Sequence, residues 1–424
     1  MTLLGAEALT ALDAAVETAN AAVAATYPGA APGRQPVSTV YVAADRFGER
    51  TVAELGAQAR ALMDAHAADS AAMASAFGLD RAFALADKVR KRVVRKLTVE
   101  PVEDLRVDFE DGYGVRDDAE EDGHAEAAAE AIALGQADGA LPPFIGLRVK
   151  SFADGLHRRS VRTLERFLGV LLERTDGVLP AGFVLTLPKI LSPGQVAAFA
   201  EVLGALESAS GLEDGRLRFE LQVETTQSIV AADGMIALPR LVAAAAGRCT
   251  AAHFGAYDYT AACGLPASEQ RIDHPTCDAA RHVMQIALAG RGLRLSDGST
   301  NVLPASDGHE DVHVAWRLHA GHVRRSLAHG FFQGWDLAAA QLPSRYTAVY
   351  AFHLATFDDT TARIRAWRDA RRAESGVLDE PATANALLAS LRRALDCGAV
   401  PADEIHDHTG ATPADLWPAD PPPP

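Results

Sequence analysis

The chain predicts an α/β fold, a closed TIM-type (β/α)8 barrel with helical additions at both ends. Three observations carry that expectation. Short apolar strand-like runs alternate with amphipathic helical segments about eight times over roughly 300 residues, a count that suits a closed parallel barrel. No glycine-rich dinucleotide loop or phosphate-binding loop opens any of the helices, which disfavours an open doubly wound sheet. Several strand-like runs place acids or an arginine on alternate positions, and a strand covered on both faces tolerates these near a barrel mouth, where water, metal and substrate satisfy them.

The elements follow in order. Residues 3–26 repeat apolar positions at helical spacing and stop at Tyr27-Pro28-Gly29. A short loop with Pro32, Gly33 and Pro36 leads to a first strand over 37–45, and 52–92 read as helical. Strands are then expected at Leu105–Asp111, Phe144–Lys150, Phe183–Lys189, Leu217–Glu224, Ala251–Tyr257, Leu293–Asp297 and Phe331–Asp336, with helices over 118–136, 159–174, 193–208, 227–246, 276–290 and 309–329 between them. Helical segments at 344–373 and 382–397 precede a proline-rich end. The expected organisation is an N-terminal helical extension at 1–36, the barrel at 37–345, a C-terminal helical segment at 346–400 and a flexible tail at 401–424.

Composition narrows the function classes. Against 40 Lys and Arg stand 56 Asp and Glu, and the net charge of −16 repels phosphate backbones and anionic lipid. The basic run Lys88 to Lys96 reads as a solvated face. Four cysteines without a CxxC pair read as reduced thiols of a cytoplasmic protein. No basic leader and no apolar stretch of about 18 residues is present, so neither secretion nor membrane spanning is expected. The expected partners are a small-molecule substrate and further copies of the chain, with no nucleic acid and no membrane.

Chemistry is expected where strands end. Leu217–Glu224 ends on an acid, Glu224, and Ala251–Tyr257 gives way to another, Asp258, and two such acids can hold one hard divalent cation with water and substrate completing its shell. On the second strand Arg106, Asp108 and Glu110 share one face, as do Glu220, Gln222 and Glu224 on the fifth. Arg148 closes another strand, where its guanidinium either grips a substrate carboxylate or pairs with a neighbouring acid. Lys189, after Pro188, anchors a second anionic group or a loop.

Five motifs in order, Val107-Asp-Phe-Glu-Asp111, Leu147-Arg-Val149, Leu187-Pro-Lys189, Val223-Glu-Thr225 and Phe254-Gly-Ala-Tyr-Asp258, make the chain resemble the citrate lyase β-subunit-like group of the HpcH/HpaI aldolase superfamily, with its phosphoenolpyruvate/pyruvate-type barrel. The resemblance spans about residues 37–345 and implies a carbon–carbon lyase or condensing enzyme that uses Mg²⁺, or Mn²⁺ in its place, to stabilise an enolate of a keto acid, hydroxy acid or coenzyme A thioester. It implies Glu224 and Asp258 as metal ligands, Arg148 as the substrate-binding arginine, and Glu110 and Asp111 as the acidic motif beside the metal waters. The chain departs from that group in its extra N-terminal helix, in Ala338-Ala339 where relatives carry His-Pro before a Gln, and in the segment Tyr257–Gly264. A metal-dependent hydrolase on the same barrel and a non-catalytic metabolite-binding barrel stand as alternatives.

His309-Glu-Asp-Val-His313 matches the HExxH zinc-protease pattern, with His319 at third-ligand spacing. Trp316 stands where the extended motif needs glycine to turn the chain, so a continuous helix carries His319 away from the other two. A helix with histidines on its exposed or dimer-facing side is the expected reading.

Overall fold

Eight short runs form parallel strands, and each is buried along most of its length because helices cover the outside while side chains fill the inside. The computed structural model describes residues 4–79, 83–372 and 381–416. The strands are β1 (Ser38–Ala43), β2 (Asp104–Asp108), β3 (Phe144–Arg148), β4 (Phe183–Leu187), β5 (Phe219–Val223), β6 (Cys249–Phe254), β7 (Arg294–Ser299) and β8 (Gln333–Asp336). They pair in sequence order, and β1 pairs with β8 to close the barrel. The expectation of a closed TIM-type barrel is borne out.

Helices follow the strands on the outside. Before the second strand come α1 (Ala6–Thr26), α2 (Thr51–His66), α3 (Ser70–Phe77) and α4 (Phe83–Val99). Around the barrel run α5 (Asp118–Ala137), α6 (His157–Arg174), α7 (Pro193–Ser210), α8 (Thr226–Ile229), α9 (Leu238–Ala244), α10 (Ala256–Ala262), α11 (Pro275–Leu288) and α12 (His309–Ala328). The chain continues through α13 (Leu342–Ala355), α14 (Phe357–Arg372), α15 (Pro381–Asp396), α16 (Ala402–Thr409) and α17 (Pro413–Leu416). None of these is long and apolar enough to cross a membrane.

Local chemistry redraws several expected boundaries. The helix expected over 52–92 is divided: Asp69 caps α3 by accepting from the N–H groups of Ala71 and Ala72, and Gly78 ends it at φ 68°. The helix expected over 227–246 is reduced to α8 and α9, because Asp233 accepts from the Met235 N–H and Gly234 turns the chain at φ 79°. β2 stops at Asp108 rather than Asp111, since the Asp108 carboxylate accepts from the N–H groups of Glu110 and Gly112 and curls the chain out of the ladder. β6 ends at Phe254, so Asp258 lies in the first turn of α10 instead of directly after a strand. Thr356 separates α13 from α14 where one helix was expected over 344–373. Within the expected tail, α16 and α17 bury Ile405 and Leu416 against the body; residues 417–424 of that tail lie outside the described residues. At the other end, no residue of α1 is buried.

The barrel interior is polar in layers. Deepest, Arg106 donates to Glu220 at 2.7 Å and to Asp104, while the Trp335 indole donates to His253 Nδ1 at 3.1 Å. That bond places the His253 proton on Nε2, 3.1 Å from Glu220. Each charge of this layer thus has an opposite charge or a donor against it, as a dry interior demands.

Candidate active site

Above that layer the C-terminal ends of the strands open into a cavity of about 400 Å³ lined by Tyr41, Arg148, Glu224, Asp258 and Trp335 among others. Mouths at this end of a parallel barrel collect chemistry because loops there carry side chains over a rigid base. Arg148, the last residue of β3, is almost fully buried. Its Nε and Nη2 donate to the two oxygens of Asp108 at 2.7 and 2.6 Å, and its Nη1 stands 3.3 Å from Glu110. The Tyr41 ring covers the guanidinium at 4.9 Å and packs on Trp335 at 4.8 Å. Both readings of Arg148 therefore meet in one residue: one edge is committed to Asp108, and the other faces the mouth.

Lys189 ties the remaining acids together. It follows β4 by two residues at φ 48°, a left-handed conformation uncommon for lysine, and this turns its backbone N–H onto the Glu224 carboxylate at 2.7 Å. Its ammonium binds Glu110, lies 2.6 Å from Asp111 and stands 3.7 Å from Asp258. Burial opposes the charge of Lys189, but Glu110 and Glu224 outweigh it and hold the ammonium well above the usual lysine range.

Glu224 follows β5 directly and is 1% exposed. Its second oxygen accepts from the Gln222 amide. Burial, then the charges of Glu110 and Asp258, push its carboxyl up to about 8. Glu110 is pushed up to about 7 by burial, against the pull of Arg148 and Lys189. Asp111 is held below the usual range: burial raises it, but the Lys189 and Glu110 hydrogen bonds prevail. Asp258 is half-buried, with its side chain 43% exposed, and Asp111 is the most exposed of the group at 53%. The backbone makes room for Glu224: a Cβ on Gly255 would stand 2.6 Å from a Glu224 oxygen, so only glycine fits.

These donors suit one kind of cation. They are carboxylate oxygens, and Glu224 is a buried carboxylate whose charge the protein alone leaves under-compensated. Among the described residues no group of three or more His, Cys, Asp or Glu surrounds a common metal position. The set matches a hard ion that takes one or two carboxylates and fills its remaining positions with water and substrate, and it does not match a closed zinc site.

The six expected residues, Glu110, Asp111, Arg148, Lys189, Glu224 and Asp258, are thus brought to one mouth. Asp108, Tyr41, Gln222 and Trp335 were not singled out as site residues. Asp108 and Gln222 carried a signal, since each shares a strand face with an expected site residue, whereas Tyr41 and Trp335 read in sequence as ordinary strand aromatics. The HExxH segment lies elsewhere. α12 runs unbroken, His319 turns to Ser344 and Asp336, and His313 bonds the His66 carbonyl at 2.8 Å. His313 and His319 are buried rather than facing outward as expected, and His309 alone of the three is exposed.

The family profile described as "Domain of unknown function (DUF6986)" matches residues 16–419. No curated protein shows significant sequence similarity to the chain. Solved structures do share the fold. A citrate lyase from Burkholderia xenovorans LB400 is 20% identical with a TM-score of 0.56, over 91% of this chain and 96% of that one. Protein CitE from Mycobacterium tuberculosis, in complex with magnesium, acetoacetate and coenzyme A, is 19% identical with a TM-score of 0.45, over 85% and 98%. The Haloferax volcanii malate synthase magnesium/glyoxylate complex is 18% identical with a TM-score of 0.45, over 73% and 74%. The first of these likenesses places the barrel with the citrate lyase fold.

Proposed function

Since the chain belongs to the DUF6986 family and carries this mouth, we propose that it is a carbon–carbon lyase or condensing enzyme acting on a small keto acid, hydroxy acid or acyl-coenzyme A thioester with Mg²⁺, or Mn²⁺ in its place. The observation that carries the reading is the buried Glu224 carboxylate facing Asp258 across a cavity that also holds Arg148. Glu224 and Asp258 would hold the cation, which supplies neutralisation of the negative charge that develops as an enolate forms.

The chain's own groups do the rest. Arg148 is fixed on one edge by Asp108, so its Nη1 is pre-positioned to take a substrate carboxylate without reorganising. Tyr41 and Trp335 wall the same cavity and exclude water from the guanidinium. Lys189 holds Glu110 and Asp111 at the rim and offers its ammonium to a second anionic group of the substrate. Glu110, raised toward neutrality, can hold or release a proton near pH 7, a role that typically contributes about 10²- to 10⁴-fold.

The test is proton exchange from pyruvate or oxaloacetate in deuterated water, followed by NMR with and without Mg²⁺. Exchange that depends on Mg²⁺ and disappears in Glu224→Gln supports the assignment. Exchange that survives Glu224→Gln removes the metal from it, and absence of exchange on every small keto acid and acyl-coenzyme A removes the lyase reading.

A further inference from the structure

The pole of the barrel opposite the mouth gathers three arginines around a single lining acid, Asp396. Arg294 opens β7, and Arg392 and Arg393 lie near the end of α15. All three line one cavity of about 200 Å³, together with Gln35, Phe332 and Asp396. Arg294 also borders a neighbouring cavity of about 450 Å³ that contains Arg218.

How these guanidinium groups are held matters. Arg393 lies over the Phe332 ring at 3.9 Å and Arg294 over Phe144 at 5.2 Å. Arg294 makes one hydrogen bond, to the Pro32 carbonyl at 3.2 Å. Among the described residues neither Arg294, Arg393 nor Arg218 forms an ion pair, while Arg392 stands 3.8 Å from Asp396 and donates to the Ala31 and Gly33 carbonyls. Arg106 and Arg148, buried beside carboxylates, are shifted up. Arg294 and Arg393 are shifted down, by burial first, and the Arg392 charge adds to the effect in both. The Asp396 carboxyl is pushed up to about 6 by burial, so it stays mostly ionised at neutral pH and sets one negative charge against the three arginines.

Desolvated like charges of this kind cost stability unless an anion joins them. Packing on a ring returns part of that cost for Arg294 and Arg393 and leaves available the N–H donors of Arg393 and those of Arg294 not given to Pro32, in the fork that matches an oxyanion. We propose that this basal cavity, between the start of β7, the loop at residues 30–35 and α15, is a binding site for a small multivalent oxyanion, of the phosphate or dicarboxylate class, held by Arg294, Arg392 and Arg393. A bound anion there bridges the barrel to the C-terminal helices, far from the mouth, and stabilises their docking.

Thermal unfolding of the full chain in inorganic phosphate or in succinate, each against sodium chloride of matched ionic strength, tests the site. The expected result is a saturable rise in Tm with at least one of the two anions, and which of them acts decides between phosphate and carboxylate chemistry. The rise persists in Arg148→Lys at the mouth and is lost in the double variant Arg294→Gln/Arg393→Gln. Should that double variant not fold, Arg393→Lys keeps the charge but loses the fork, and calorimetry should find the active anion bound about tenfold more weakly. The proposal is overturned by no saturable rise with either anion, by a rise lost in Arg148→Lys and kept in the basal variant, or by unchanged affinity in Arg393→Lys.

Discussion

Replacing Arg148 with Met should cost the fold about 3 kcal/mol, and removing the Asp108 charge in the same chain should return most of what that second change costs alone. The size follows from the contacts. Asp108 is 3% and Arg148 7% exposed, and two short N–H···O bonds join them. Breaking a buried pair from one side costs roughly 3–5 kcal/mol, because the remaining charge stays in a poor solvent. Asp108 keeps two backbone donors, from Glu110 and Gly112, each at 2.9 Å, which places the cost at the lower end of that range. Asp108→Asn should cost about as much, since it leaves the guanidinium with only the more distant Glu110 and the Tyr41 ring. The double variant should cost little more than either single one, a coupling of about 2–3 kcal/mol. Urea denaturation followed by far-UV circular dichroism in metal-free buffer measures all four corners of the cycle. A loss below about 1 kcal/mol in Arg148→Met, or additive losses in the double variant, would refute the view that Asp108 fixes the arginine.

Two further outcomes are expected. Gly255→Ala drives a Cβ to 2.6 Å from a Glu224 oxygen, so divalent-cation affinity should fall by about tenfold or more with the far-UV spectrum unchanged; calorimetry giving wild-type affinity would show that Glu224 is not constrained there. His353 is 4% exposed, and burial, aided by Arg393, pushes its imidazole from 6.5 down to about 4. Between those values the unfolded chain takes up a proton that the fold refuses, so its contribution is intact above pH 6.5 and falls by about 3 kcal/mol as the pH drops to about 4. His353→Leu should flatten the stability–pH curve in that window, and an unchanged acid slope would show that the histidine is not held neutral.

Much of the fold could be read from residue patterns, because barrel strands carry a simple signature. In Leu105-Arg-Val-Asp108 the apolar positions pack on helices and the polar ones point inward, so alternation reveals both the strand and its face. Strand ends were harder to read. Asp108 terminates β2 through its own side chain, and Ala256-Tyr-Asp-Tyr-Thr260 has enough aromatic and β-branched character to look extended although Gly255 has already started a helix. The acids and cations of the mouth stood out because charged residues ending apolar runs are uncommon. What joins them did not stand out: the left-handed backbone at Lys189 and the Tyr41 cover over Arg148 depend on strands that are neighbours only in space. The inner network of Arg106, Glu220 and His253 was hidden for the same reason.

Calorimetric titration of Mg²⁺ into the metal-free chain, its Glu224→Gln variant and its Asp258→Asn variant bears most directly on the central claim. A single saturable site in the wild type, absent from both variants while their circular dichroism stays unchanged, is the predicted result. Mg²⁺ bound equally well by all three, or by none, would contradict the assignment of Glu224 and Asp258 as the residues that hold the cation.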